Sequence, residues 1–272
     1  MLRKLMKHEF RATGRIMLPL FLILLVTSVG ANFSVRGMLD TDSKFLNVLG
    51  VLLVMAFVIA IIGVCVMSVV VMVQRFYKNL LQDEGYVMMT LPVSVHQHMW
   101  AKLITSAVWF ALTMAAVILA CCILVVDQAA LGGFFRGMGQ LLHELTAYYA
   151  INGTAVILEF LVLCFVGICA MCLQFYAALA VGHSFPNHKM AWSVGAYFGL
   201  QFAMQFITST IGIVLGRIGI FGWLDGLDIN LELTGMPAIH IGMLVMVVMI
   251  TALGAVYYGV TAWFLKHKLN LE

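Results

Sequence analysis

The chain has 272 residues, of which 63% are hydrophobic and 10% are charged, and its mean hydropathy is +1.05. Because a soluble domain carries about 25% charged residues, this composition excludes an ordinary soluble protein and is typical of a protein with several membrane spans. The formal net charge of +3 is too small to indicate binding to nucleic acid.

The first 15 residues form an amphipathic pattern. Apolar side chains share one helical face, and five cations occupy the remainder: Arg3, Lys4, Lys7, Arg11 and Arg15. This pattern is typical of an uncleaved helix that lies in the membrane interface with its cations near anionic lipid headgroups. We therefore predict an interfacial helix over residues 1–15 that leads into the first span.

Six apolar segments follow, each long enough for a membrane-spanning helix. The predicted spans are 16–34, 46–74, 103–126, 147–181, 191–215 and 241–265. The fourth is too long for one straight crossing, so its first part is either an outer interfacial helix or a tilted extension. The predicted fold is an all-α polytopic membrane protein in which residues 16–272 form a single six-span domain.

The distribution of Lys and Arg predicts the orientation of these spans. Most of the 15 cations fall at the N-terminus, in the loop 75–102, at Lys189 and at the C-terminus. Since cytoplasmic loops carry an excess of Lys and Arg, we expect both termini and this loop to be cytoplasmic. An even number of spans agrees with that orientation.

The loop 75–102 interrupts the apolar pattern with charges and turn residues. Asp83 and Glu84 precede Gly85, a natural helix stop, and Pro92 breaks any helix before Ser94 begins a new one. Between them lies an apolar strip, 86–91, that would be exposed on the cytoplasmic side. Exposed apolar strips beside charges usually contact a partner or the membrane, although a plain solvated connector is the alternative.

Two stretches of the sequence carry a family resemblance. The start MLRKLMKHEFRATGRIMLPL and the segment FYKNLLQDEGYVMMTLPVSVHQHMWAKL resemble permease subunits of type-2 ABC transporters from Gram-positive bacteria. The resemblance covers essentially the whole chain, and the spans outside these stretches match only in pattern. It implies a type-2 ABC exporter permease fold in a bacterial plasma membrane.

The resemblance also implies partners and site residues. Two permeases, identical or different, would pair and bind two cytoplasmic ABC ATPase subunits. The coupling element that seats in the ATPase would include Asp83, Glu84, Gly85, Tyr86 and Met89. The segment 216–240 would form short re-entrant helices at an outer gate.

The chain contains no GxxxxGK[ST] phosphate loop, so we expect no enzymatic activity of its own. ATP and Mg²⁺ would be bound by the partner ATPase, and no cofactor or metal is expected on this chain.

Glu159 is the one acidic residue within a predicted span. An intramembrane carboxylate can bind a proton or substrate, but it can also lie near the outer interface or bond to a neighbouring helix. Cys164, Cys169 and Cys172 share this span. We interpret them as packing residues, because a structural zinc site needs a fourth ligand and polar support.

The fifth predicted span carries small and polar residues at helical spacings. Gln201, Gln205 and Thr208 share one face, and Gly195 and Gly199 form a GxxxG spacing. These five residues would line a substrate path or contact a second permease, as the resemblance implies. Ordinary packing within the chain is the alternative.

The preferred function is therefore that of a permease subunit in an ATP-driven exporter of an amphipathic, peptide or drug-like cargo. Two alternatives depend on Glu159: a secondary transporter, or an intramembrane enzyme that uses this carboxylate with a histidine or cysteine. Catalysis by the purified chain alone would distinguish the enzyme from the exporter.

Overall fold

The computed structural model describes residues 2–37, 43–80, 94–125, 132–133, 136–141, 143–144, 153–185, 187–217 and 238–267. Every regular element in these ranges is helical, which confirms the prediction of an all-α chain. Six long helices are present in them: α1 (Leu2–Gly37), α2 (Lys44–Leu80), α3 (Val95–Val125), α4 (Gly153–Gly182), α5 (Lys189–Arg217) and α6 (Ala238–His267).

Five of these helices are long and apolar enough to cross a membrane, which confirms a multi-pass architecture in outline. The five stretches are Leu5–Gly37, Lys44–Lys78, His96–Val125, Gly153–Gly182 and Gly242–His267. The predicted span 191–215 is helical within α5 but is not one of the five. Those five are found among the described residues, and the side chains of residues 211, 212, 215 and 216 of α5 lie outside them. The six-span architecture therefore remains a prediction.

The predicted boundary between interfacial helix and first span, at Arg15, lies inside α1. This helix is continuous over 36 residues and contains Pro19. At 1.5 Å per residue it is about 54 Å long, well beyond the roughly 30 Å of a bilayer's hydrocarbon core. Several turns of α1 must therefore extend past that core.

The chain divides into two compact units. The first comprises Met1–Phe76 and Gln97–Gly139. Its core contains Leu24, Ala31, Phe57, Val64 and Ala120, contributed by α1, α2 and α3. The Asn32 side-chain amide donates to the carbonyls of Ile123 and Leu124, at 2.9 and 2.8 Å. These carbonyls lie in the last turn of α3 and lack helical donors, so Asn32 caps that helix.

The second unit comprises Tyr77–His96 and Gln140–Glu272. Within it, α4 packs against both α5 and α6, and the C-terminal half of α4 forms the buried face. Gly182 ends α4, and a Cβ atom added there would collide with the backbone of Ser193 on α5. The absence of a side chain at Gly182 is what lets the two helices approach this closely.

Candidate functional site

The predicted coupling residues Asp83, Glu84, Gly85, Tyr86 and Met89 lie outside the described residues. The structure describes the chain on both sides of them. Helix α2 continues through the charged residues after its apolar stretch, and α3 begins at Val95, directly after Ser94, as predicted.

A charge cluster of Glu9, Arg75 and Lys102 joins α1, α2 and α3 in the first unit. The Lys102 side chain is 4% exposed, and its ammonium lies 2.8 Å from Glu9 Oε1. It also donates to the Arg75 carbonyl at 3.0 Å, while the Arg75 guanidinium lies 3.8 Å from Glu9 Oε2. A buried ammonium is stable only when a counter-charge and hydrogen-bond acceptors replace its water, and Glu9 and the Arg75 carbonyl supply them.

On the α2 side of the loop, Tyr77 contacts His183 in the second unit. The two rings meet edge to face with centroids 5.0 Å apart. His183 is 2% exposed, and its Nδ1 lies 3.0 Å from the Leu179 carbonyl, which can only accept. Burial lowers the pKa of His183 below its ordinary value; the Leu179 bond opposes this shift, and Lys189 adds to it.

The lowered pKa makes stability depend on pH. The unfolded chain binds a proton at His183 near the ordinary value of 6.5, whereas the folded chain does so only at lower pH. Stability is therefore complete above pH 6.5 and is lost as pH falls toward the folded pKa. We expect His183→Gln to weaken this acid dependence in thermal unfolding between pH 8 and pH 5. His8→Gln replaces an exposed histidine and should retain the acid dependence of the wild type. If the wild type and both variants have identical profiles, His183 is not the source of the acid dependence.

On the α3 side of the loop, His96 is bound by two residues of α6. Its Nδ1 lies 2.6 Å from the Tyr258 hydroxyl, and its Nε2 lies 3.1 Å from the Lys266 ammonium. An ammonium can only donate, so Nε2 must accept and Nδ1 must carry the hydrogen. In this arrangement Nδ1–H donates to the Tyr258 hydroxyl.

Glu159 pairs with His240. The His240 Nδ1 lies 2.8 Å from both carboxylate oxygens, and the side chains of His240 and Glu159 are 20% and 33% exposed. Glu159 lies in the second turn of α4 and His240 in the first turn of α6, so the pair connects these helices. A carboxylate and an imidazole at this distance can share or exchange a proton.

The five residues predicted on α5 fall into different environments. Gln201 Oε1 accepts a 2.6 Å bond from Gln174 of α4, so this residue contributes to packing within the chain. Thr208 donates back to its own helix. Gly195 and Gly199 have no neighbouring atom within 4 Å of an added Cβ, and Gln205 is exposed. The open part of this face remains a predicted contact with a second permease or with cargo.

Within the described ranges, no group of three or more His, Cys, Asp or Glu side chains could hold a metal ion. Cys164, Cys169 and Cys172 are free thiols on α4.

Sequence reasoning missed several partners in these clusters, including Glu9, Tyr258 and His240. The role of Glu9 could have been predicted in part, because it is the one acidic residue before Asp40 in a strongly basic segment. The other two are a tyrosine and a histidine in an apolar helix, and their partners lie 162 and 81 residues away.

Comparison of the chain with protein-family models, curated proteins and solved structures gives no significant match.

Proposed function

We propose that the chain is the transmembrane permease subunit of an ATP-driven ABC exporter. Separate ATPase subunits would bind the loop 75–102 and hydrolyse ATP, and the cargo would be amphipathic, peptide-like or drug-like. Such a loop must transmit force from a soluble motor to membrane helices, so its ends must be firmly attached to those helices.

The observation that carries this proposal is the anchoring of both flanks of the loop. The ammonium of Lys102 and the carbonyl of Arg75 are joined by a 3.0 Å bond, and Glu9 neutralises the cation. His96 is held by Tyr258 and Lys266. A solvated connector would not require buried charge pairing or three-residue hydrogen-bonded clusters at its flanks.

The proposed assembly contains a second permease, identical or different, in a bacterial plasma membrane. Helix α5 would supply the sixth crossing and place both termini in the cytoplasm, in agreement with the positive-inside rule. Phe198, Phe202 and Phe206 recur every fourth residue along α5 and are 57%, 74% and 74% exposed. Such a face suits contact with lipid or with another membrane subunit.

The test is affinity purification of the tagged chain in mild detergent from its native host. We expect an ABC ATPase to co-purify with the wild type and to be lost in Glu84→Lys and Gly85→Trp. Glu144→Lys is the matched control, because it makes the same charge change at an exposed residue on the predicted outer side. Equal membrane insertion of all variants must be verified by membrane fractionation. Wild-type protein recovered without an ATPase would contradict the proposal.

The Glu159–His240 pair favours one second candidate, a proton-coupled secondary transporter. Such a protein would need no ATPase, and a protonatable pair connecting two membrane helices is a plausible coupling site. Transport by the purified, reconstituted chain that is driven by a pH gradient and abolished by Glu159→Gln would favour this candidate over the exporter.

A further inference from the structure

An open groove of about 820 Å³ lies on the first unit, between the N-terminal half of α1 and Trp109 of α3. Its lining divides into two parts. The floor is apolar and consists of Phe10, Leu18, Pro19 and Trp109, whereas Lys7, Arg11 and Arg15 form a cationic rim. A groove with both parts matches a ligand that has a charged end and an apolar end.

The three rim cations are spaced by four residues, so they follow one another on a single face of α1. All three are exposed. Within the described part of the chain, none of them forms an ion pair with an acidic side chain. The nearby acid on the same helix, Glu9, is instead used by Lys102. Among the described residues, no acidic side chain therefore compensates the positive charge of the rim.

The floor is built around Trp109. The ring is 9% exposed and lies against Phe10 and Phe21, with centroids 6.4 and 6.2 Å away. Gly14 permits this packing, since its added Cβ would lie 3.3 Å from the indole Cζ2. The indole N–H is buried and finds no acceptor in the described part of the chain.

A backbone group at the groove also lacks its usual helical partner. Pro19 lies inside α1 and has no N–H, so the Arg15 carbonyl loses the hydrogen bond that residue 19 would donate in a regular helix. The groove is thus lined by three exposed cations and by Trp109, whose buried indole N–H has no acceptor among the described residues. A buried N–H normally has a partner, so its lack of one beside three cations indicates a ligand.

The geometry points to an anionic phospholipid as the occupant of this groove, with its phosphate on the Lys7–Arg11–Arg15 rim and an acyl chain on the Trp109 floor. A soluble anion would leave the apolar floor exposed. A zwitterionic lipid would bring no net charge to the three cations. This site does not depend on the proposed exporter function, because it uses only residues of α1 and α3.

Quenching of Trp109 fluorescence by brominated lipids tests the site directly. The purified full-length chain in detergent is titrated with brominated phosphatidylglycerol or brominated phosphatidylcholine. The chain has five tryptophans, so the difference between wild type and Trp109→Phe isolates the signal of Trp109. We expect phosphatidylglycerol to quench Trp109 at a roughly tenfold lower mole fraction, because cations near a membrane surface favour anionic lipid.

The triple variant Lys7→Gln, Arg11→Gln, Arg15→Gln should remove this preference. The control triple Lys44→Gln, Arg136→Gln, Arg217→Gln removes the same charge from other exposed positions and should keep it. Equal quenching of the wild type by the two lipids would overturn the proposal. So would an equal loss of the phosphatidylglycerol preference in the rim triple variant and the control triple variant. So would the absence of quenching by either lipid, as expected if another protein or a second copy covers the groove. If the rim triple does not purify as a folded protein, Arg11→Gln alone replaces it.

Discussion

Replacing Gly182 with alanine is expected to destabilise the α4–α5 pair by about 3 kcal/mol, at the upper end of the usual cost of overpacking. The new Cβ would meet backbone atoms of Ser193, which cannot rotate away as a side chain could. One of the two helices must therefore shift. The free energy of unfolding in mixed micelles, measured with increasing denaturing detergent, checks this expectation.

Gly167→Ala is the matched control for Gly182→Ala. It makes the same change in the same helix, at a position where an added Cβ has no atom within 4 Å. Within a helix, alanine is more stable than glycine by roughly 0.5–1 kcal/mol, so the stability of this variant should be unchanged or slightly higher. Similar losses in both variants would show that the close approach to Ser193 is not the cause.

Glu9→Gln is the second substitution with a large expected effect. It keeps the shape of the side chain but leaves the ammonium of Lys102, whose side chain is 4% exposed, without its carboxylate. Removing one partner of a buried ion pair typically costs about 3 kcal/mol or more, because the remaining charge is uncompensated. We expect a correspondingly lower free energy of unfolding for this variant in the same micelle assay.

A double-mutant cycle separates the ion pair from other roles of Glu9. Lys102→Met removes the buried charge, so adding it to Glu9→Gln should recover much of the lost stability. Lys44→Met makes the same change at an exposed cation and should recover nothing. If the changes in the free energy of unfolding caused by Lys102→Met and Glu9→Gln simply add, the two side chains are not coupled and the proposed ion pair is wrong.

The helices could be predicted from sequence because a bilayer leaves few options. Every backbone polar group must be satisfied inside the hydrocarbon, so a long apolar run must be helical. For that reason the predicted spans 46–74 and 241–265 lie inside the helices α2 and α6. The predicted span 191–215 likewise lies inside the helix α5.

The clusters at the helix ends were much less predictable. Composition singled out Glu159 as an isolated acid, and a bond to a neighbouring helix was among its expected roles. Nothing in the sequence selects His240 over the seven other histidines as its partner. The burial of Lys102 is similarly absent from the sequence pattern, because it depends on how three helices pack. Such pairings follow from tertiary geometry, which local pattern does not contain.

The bond between His96 and Lys266 has a consequence for the order in which the protein is made. The two residues are 170 positions apart in the chain. At a synthesis rate of about 5–20 residues per second, His96 would leave the ribosome's catalytic centre roughly 9–34 s before Lys266 exists. During that interval the start of α3 lacks its contact with α6. The start of α3 would therefore be in a different state before Lys266 is made than after the His96–Lys266 bond has formed.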